Sequence, residues 1–347
     1  MADEIEDRLL PEGLAATADE PRGFAFEEML ACDACLRANP PTRMSCLYCG
    51  EKLPVAEERA AHLRPTLRPL EEWERGINVV LLPGAFEPTP EVLSEAAKFL
   101  RTDAERLQAI VEARTPLPVA RAASDEEAEL IVGRLGGLGF AVELLADEEV
   151  ALDTSPPRRV RRCEFAADVL RGWTAAEESC AVSWGTVELV AVGIVLTKRV
   201  EVEERRGPTK PGEEIAEARS LFADEAVLEI YSAGDSAGWR IAADSFDYSC
   251  LGERMGLLAG ENFRTLVAEL RTRARTAVFD DSYPRLRQLL DVAWPPTERK
   301  ESGGLKRERP GKFNTEAVTV VSNDAQFTRY ARLRHRLRTR RRVGETP

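Results

Sequence analysis

Apolar positions along the chain switch between two periods, and the switches mark elements. Residues 77–82 form a β-rich apolar run. Pro90 then opens a stretch in which Val92, Leu93, Ala96, Phe99 and Leu100 recur at helical spacing. Thr102 or Asp103 can cap a second helix carrying Leu107, Ile110 and Val111. Residues 117–122 read as a short strand, and Ser124 with Glu127 three positions on is a capping box that opens a third helix through Leu135. Gly136, Gly137 and Gly139 stop it before a closing strand at 140–145. The predicted order over residues 76–146 is β-α-α-β-α-β. The glycine cluster follows a helix and precedes a strand, the reverse of what phosphate binding at a helix N-terminus requires.

The next stretch is dominated by strands. Residues 180–184 and 187–202 are continuous or alternating β-branched runs, and residues 205–213, with Gly207, Pro208, Pro211 and Gly212, read as a loop. Residues 227–231 and 239–243 pair as a hairpin around the turn-rich segment 232–238. Phe263, Leu266, Val267 and Leu270 then fall on one face of a helix at 261–274. Beyond it the pattern weakens to a helix within 280–294, a polar and turn-rich stretch at 295–312 expected to be flexible, and a candidate strand at 315–322. Two Arg-Pro steps (Arg64-Pro65, Arg68-Pro69) mark 54–75 as a linker, and Pro156-Pro157 marks a second at 147–162. The expectation is an α+β multi-domain chain. It has a zinc ribbon (28–53), a small α/β domain (76–146), a β-rich, barrel-like domain closed by a helix (163–275) and a partly flexible basic tail (276–347).

Composition supports a globular protein: 347 residues, 44% hydrophobic and 31% charged. The acidic opening Met1-Ala-Asp-Glu and the lack of any run of about 18 apolar residues lead to an expected cytoplasmic location. Net charge is -12, which argues against a chain that coats nucleic acid over its surface. Residues 283–347, however, hold 16 basic and 7 acidic side chains, a local +9 that leaves -21 on the remainder.

Four of the seven cysteines form Cys32-Asp-Ala-Cys35, ten residues, then Cys46-Leu-Tyr-Cys49. Each Cys-x-x-Cys turn lets two sulfurs converge on one ion, and two turns complete a tetrahedral shell of four thiolates. Such a shell holds one structural zinc ion, because four thiolates leave no position for water. A redox role for the cysteines is the alternative. Cys163, Cys180 and Cys250 have no evident pairing scheme, and Cys250 reads as a buried thiol.

Three resemblances follow from these residues. Cys32, Cys35, Asn39, Cys46 and Cys49 resemble the Ran-binding-protein type of zinc finger over about 25 residues, which implies one zinc and, through Arg37 and Arg43, phosphate contact. More loosely the segment looks like the zinc ribbons of many bacterial proteins, which bind protein or cap a chain. The β-α-α-β-α-β order, with Ser124 to Leu145 as its best part, resembles the C-terminal domain of the bacterial ribosomal stalk protein and the related adaptor of the Clp protease over about 70 residues. That implies a small protein-recruiting fold, with no partner carried over. The strands closed by a helix, with Trp184 before Glu188-Leu189-Val190, are similar to a bacterial pleckstrin-homology-like barrel; Arg205 and Arg206 are its nearest candidates for phosphoinositide contact or a solvated loop.

The arginines Arg329, Arg332, Arg334, Arg336, Arg338, Arg340, Arg341 and Arg342 lie within fourteen residues and alternate with Tyr330, Leu333 and Leu337. They can bind a polyanion or dock on the acidic body. Only His62 and His335 exist, and no nucleophile elbow, Walker loop or His-Glu-x-x-His occurs, so no enzyme activity is expected. The reading that results is a non-enzymatic zinc-binding adaptor working through protein–protein contacts. The alternative is a nucleic-acid-associated protein using the finger and the arginine-rich segment.

Overall fold

The structure is a computed structural model describing residues 24, 29–53, 63–70, 74–151, 155–206, 214–309 and 312–344. It divides into two compact units, Met1–Arg64 and Pro65–Pro347. The first holds a short antiparallel pair, β1 (Leu30–Ala31) with β2 (Ala38–Asn39), and an isolated bridge between Ser45 and Lys52. Among the described residues its hydrophobic cluster is Cys32, Cys46 and Leu53, with Cys35 packed against them. So few buried groups cannot offset the entropy of ordering the chain, which makes a metal the expected source of folding energy.

The second unit opens in the predicted order: β3 (Ile77–Leu81), α1 (Pro90–Leu100), α2 (Ala104–Glu112), β4 (Leu117–Ala122), α3 (Asp125–Gly137) and β5 (Val142–Ala146). The three strands form an antiparallel sheet ordered β4-β3-β5, and buried residues of all three helices, among them Leu93, Leu107 and Ile131, pack in its core. Ser124 accepts the Glu127 N–H at the start of α3, which is one half of the predicted capping box. The Glu127 carboxylate, expected to return the bond to Ser124, is turned to other N–H groups. It accepts N–H groups from Ala123, Thr66 and Leu67, fixing part of the segment expected as a linker at 54–75. Residues 54–62 and 71–73 of that segment lie outside the described residues. Gly139 closes α3 at φ +93°, a conformation an L side chain rarely adopts, with the Phe86 ring against it.

The rest is one nine-stranded sheet with helices on both faces. After α4 (Asp147–Val150) come β6 (Arg158–Phe165), β7 (Val169–Thr174), β8 (Ser179–Ser183), β9 (Val187–Arg206), β10 (Glu214–Ser232) and β11 (Asp235–Ala242). Then follow α5 (Ala259–Arg273), β12 (Val278–Asp280), α6 (Tyr283–Leu290), β13 (Thr297–Arg309), β14 (Lys312–Ser322) and α7 (Asp324–Gly344). The strand order is β13-β14-β9-β10-β11-β6-β7-β8, with β12 beside β9; the β11–β6 and β12–β9 pairs are parallel. Phe263, Leu266 and Leu270 of α5 cover one face, against Val190, Leu228, Ile230, Trp239 and Ile241. On the other face Leu189, Ala191, Val227 and Tyr231 share a core with α6, with α7 and with the β3–β5 layer. Strands buried on both faces are apolar without alternation, which is why β9 reads as a continuous run.

Several sequence expectations are corrected here. The barrel-like sheet is a curled half-barrel that does not close: its path ends at β8 and β13, which do not pair among the described residues. The stretch 147–162 is not simply a linker, since α4 and the start of β6 occupy much of it. The turn between β10 and β11 is tighter than 232–238, because Ser232 already pairs with Asp235 and Gly234 supplies φ +79°. Residues 297–309 form a strand rather than a flexible segment, paired along β14, which itself pairs with β9. Polar composition hides it from sequence, because pairing, not composition, orders an edge strand. The described residues from 276 onward are accordingly woven into the second unit, and α7 is among its most buried elements.

Candidate metal centre

The two cysteine turns are built the same way. In the first, the Cys32 carbonyl accepts the Leu36 N–H (2.7 Å) while the Cys32 N–H donates to the Arg37 carbonyl (3.0 Å). In the second, fourteen residues on, the Cys46 carbonyl accepts the Gly50 N–H (3.1 Å) and the Cys46 N–H donates to the Glu51 carbonyl (2.8 Å). The correspondence extends to backbone shape and pairing. Leu36 and Gly50 both have positive φ (59° and 77°), and the Ala31–Ala38 pair of the first turn matches the Ser45–Lys52 bridge of the second. Gly50 meets that requirement without strain, whereas Leu36 adopts it with a side chain, a conformation that costs on the order of 1 kcal/mol.

The four sulfurs lie within 4.8 Å of one another, and the cross-turn pairs Cys32–Cys49 and Cys35–Cys46 are both 3.5 Å apart. A tetrahedron of roughly 2.3 Å metal–thiolate bonds has edges of about 3.8 Å, so the donor set fits a single ion. Each close pair takes one sulfur from each turn, which interlocks the two halves. All seven cysteines are free thiols, so the cluster competes with no disulfide.

Asn39 is the organising residue next to the sulfurs. It is fully buried; its Nδ2 donates to the Arg37 carbonyl (2.9 Å) and to Cys46 Sγ (3.4 Å), and its Oδ1 accepts the Leu47 N–H (2.8 Å). One amide therefore ties the first turn to the second. Burial acts to raise the Cys46 thiol, but the N–H groups of Tyr48 and Cys49, the Asn39 amide and Cys35 outweigh it and bring it to about 6. At Cys49 the Glu51 N–H pulls down, yet burial and the three neighbouring sulfurs hold the thiol up at about 12. A cluster that readily loses one proton and resists losing the last is what a divalent cation resolves, since the ion supplies the positive charge that four thiolates require.

The rim of the module is unusually apolar. Leu36 is 80% exposed, Leu47 52% and Tyr48 56%, and the Arg37 guanidinium lies 4.8 Å over the Tyr48 ring.

Most of the other sequence-predicted residues fall in the second unit. The arginine-rich segment is α7, whose Phe327, Tyr330, Ala331, Leu333 and Leu337 are buried. Its arginines turn onto the unit's own acceptors. Arg334 pairs with Asp280 (2.7 Å), Arg340 with Glu143 and Glu149 (2.7 Å each), and Arg342 with Glu188 (2.6 Å). Arg332 is buried and donates to the Ser155 carbonyl, while Arg336 and Arg338 reach the carbonyls of Glu149 and Thr276. Arg329 is half-buried with its interactions made, and Arg341 is exposed. His335 is buried between the Tyr231 ring and Glu188, 2.9 Å away. Cys163 is buried, with its thiol held protonated by a hydrogen bond to Cys250 and by burial. Arg205 and Arg206 lie at the end of β9; residues 207–213 of the expected loop and His62 are outside the described residues.

Comparison with protein-family models, with curated proteins and with solved structures finds no match to this chain. Among the described residues no helix is long and apolar enough to cross a membrane.

Proposed function

We propose that the chain is a non-enzymatic adaptor acting through protein–protein contacts, in which Cys32, Cys35, Cys46 and Cys49 hold one structural zinc ion. Four converging thiolates suit zinc or iron among the common metals, and they leave no open coordination position at which water or a substrate could be activated. The observation that carries the adaptor reading is the exposed rim, where Leu36, Leu47 and Tyr48 stand on a module too small to hide them. Apolar side chains ordered by a metal and left in water favour burial against a partner.

Two measurements test this. Elemental analysis of the purified protein should give one zinc per chain, and none after Cys32→Ser with Cys35→Ser; iron in its place, or no metal, overturns the zinc assignment. Affinity capture with the wild-type protein and with Leu36→Asp, Tyr48→Asp, both zinc-loaded, should recover specific proteins with the first and lose them with the second. An identical recovered set removes the rim from the function. Nucleic-acid association has one observation in its favour, the Arg37 guanidinium stacked over exposed Tyr48, a surface on which a base can lie. Salt-sensitive binding of single-stranded RNA that is lost on Tyr48→Ala would favour it over the adaptor reading.

A further inference from the structure

On the face of the large sheet that carries α7, three arginines border one cavity of about 350 Å³. Arg159 of β6 and Arg240 of β11 are register partners in a parallel pair, so their side chains leave the sheet on the same side. Arg161, beyond Val160 at a register shift in β6, also lines the cavity. Strand spacings place Arg159 about 5 Å from Arg240 and about 7 Å from Arg161 along the backbone. Like charges set side by side on a sheet destabilise it unless something neutralises them.

Neutralisation is unequal. Arg240 is buried, ion-paired with Asp324, 3.8 Å from Glu229 at its Nη1, and stacked over the Phe327 ring. Its charge is answered from within the protein. Arg161 has only a carbonyl, that of Ser245 at 3.2 Å. Arg159 has neither an ion pair nor a hydrogen bond among the described residues. Glu225 also lines the cavity, and one of its oxygens accepts the Asp244 N–H. The carboxylates of Glu225 and Asp324 offset two of the three guanidinium charges lining the cavity, and the unpaired donors are those of Arg159 and Arg161. Beside it, Val195, Val227 and Ala242 give an apolar floor, and the hydroxyls of Thr197 and Ser322 stand on the opposite wall. Two guanidinium groups with spare donors, an apolar floor and a volume at the small end of the ligand-pocket range describe a small-molecule site. Guanidinium forks match the paired oxygens of phosphate and carboxylate.

We infer that this cavity is a binding site for a small organic oxyanion, with its phosphate or carboxylate head on Arg159 and Arg161 and its short apolar body over Val195 and Val227. The inference is independent of the adaptor reading, because the site lies wholly in the second unit and uses none of the metal module. Occupation sets a negative charge beside Arg159, the register neighbour of Arg240, and leaves the buried pairs of Arg240 in place.

The test is titration calorimetry of the full-length protein with sodium phosphate and with sodium succinate, against sodium chloride at matched ionic strength. Saturable binding of phosphate or of succinate is expected, and the tighter of the two identifies the head group. Arg159→Gln should weaken that binding by about tenfold, the loss of one charge-assisted contact, and Arg159→Gln with Arg161→Gln should abolish it. Both residues lie at the cavity rim, and the ligand-free melting temperature of Arg159→Gln should equal or exceed that of the wild type, since a like-charge contact is removed. Absence of saturable heat with both anions overturns the inference, as does binding that the double variant retains.

Discussion

Replacing Leu333 by alanine separates a structural α7 from a solvated basic segment. Leu333 is fully buried in the core that α7 shares with β9, β10 and the β3–β5 layer. Truncating such a leucine removes its transfer free energy and leaves a cavity, together costing about 2–5 kcal/mol. With a urea dependence of about 3 kcal/mol per molar, a cost near 3 kcal/mol moves the unfolding midpoint down by about 1 M. Trp294, fully buried in the same core, reports the transition by its fluorescence, and circular dichroism follows the sheet. Arg341→Ala, at an exposed position of the same helix, should shift stability by less than about 0.5 kcal/mol. A Leu333→Ala midpoint within about 0.2 M of wild type would refute the packing of α7, because no buried leucine can be lost at so small a cost.

Other consequences are as direct. Burial holds His335 below its ordinary value, overcoming the opposing pull of Glu188, so between that lowered value and about 6.5 the unfolded chain binds more protons than the folded one. Stability should be level above about pH 7.5 and fall as the pH drops through 6.5, and in His335→Gln this part of the slope should vanish in urea titrations run at pH 5.5 and 7.5. A Cβ at Gly193 would meet the Phe327 ring at 2.5 Å and Tyr283 at 3.1 Å, so Gly193→Ala should cost about 1–3 kcal/mol, seen as a lower melting temperature. Asn39→Ala removes the amide that bridges the two cysteine turns. Metal affinity should drop by about 10- to 100-fold in chelator competition, with the four ligands intact.

How much is legible in the sequence varies with the kind of signal. The metal cluster is readable in full from the spacing of Cys32, Cys35, Cys46 and Cys49, because local turn geometry alone brings the sulfurs together. Asn39 stands out in the same spacing, and its bridging role needs coordinates. The β-α-α-β-α-β order is legible because its helices carry apolar stripes and two of them, α1 and α3, begin at side-chain caps from Thr89 and Ser124; Asp103, the N-cap of α2, makes no such bond. Strand β13 is not, since nothing in Thr297 to Arg309 differs from a solvated loop except the partner it pairs with. Helix α7 escapes a sequence reading for another reason. Phe327, Tyr330, Leu333 and Leu337 recur at three- and four-residue steps, a helical stripe that the surrounding arginines conceal in any average of hydropathy. The shared core across residues 79–337 lies beyond sequence reading, because burial between distant segments leaves no local mark.

That shared core also bears on the order in which the protein can be made. Chains emerge from the ribosome at about 5–20 residues per second and fold domain by domain where they can. The cysteine module is complete by residue 53 and can take its ion while most of the chain is still being synthesised. The second unit has no such freedom. Its core joins Val79 to Leu337, so the apolar faces of β3, β9 and β10 stay open to chaperones, and to other nascent chains, until α7 has cleared the exit tunnel.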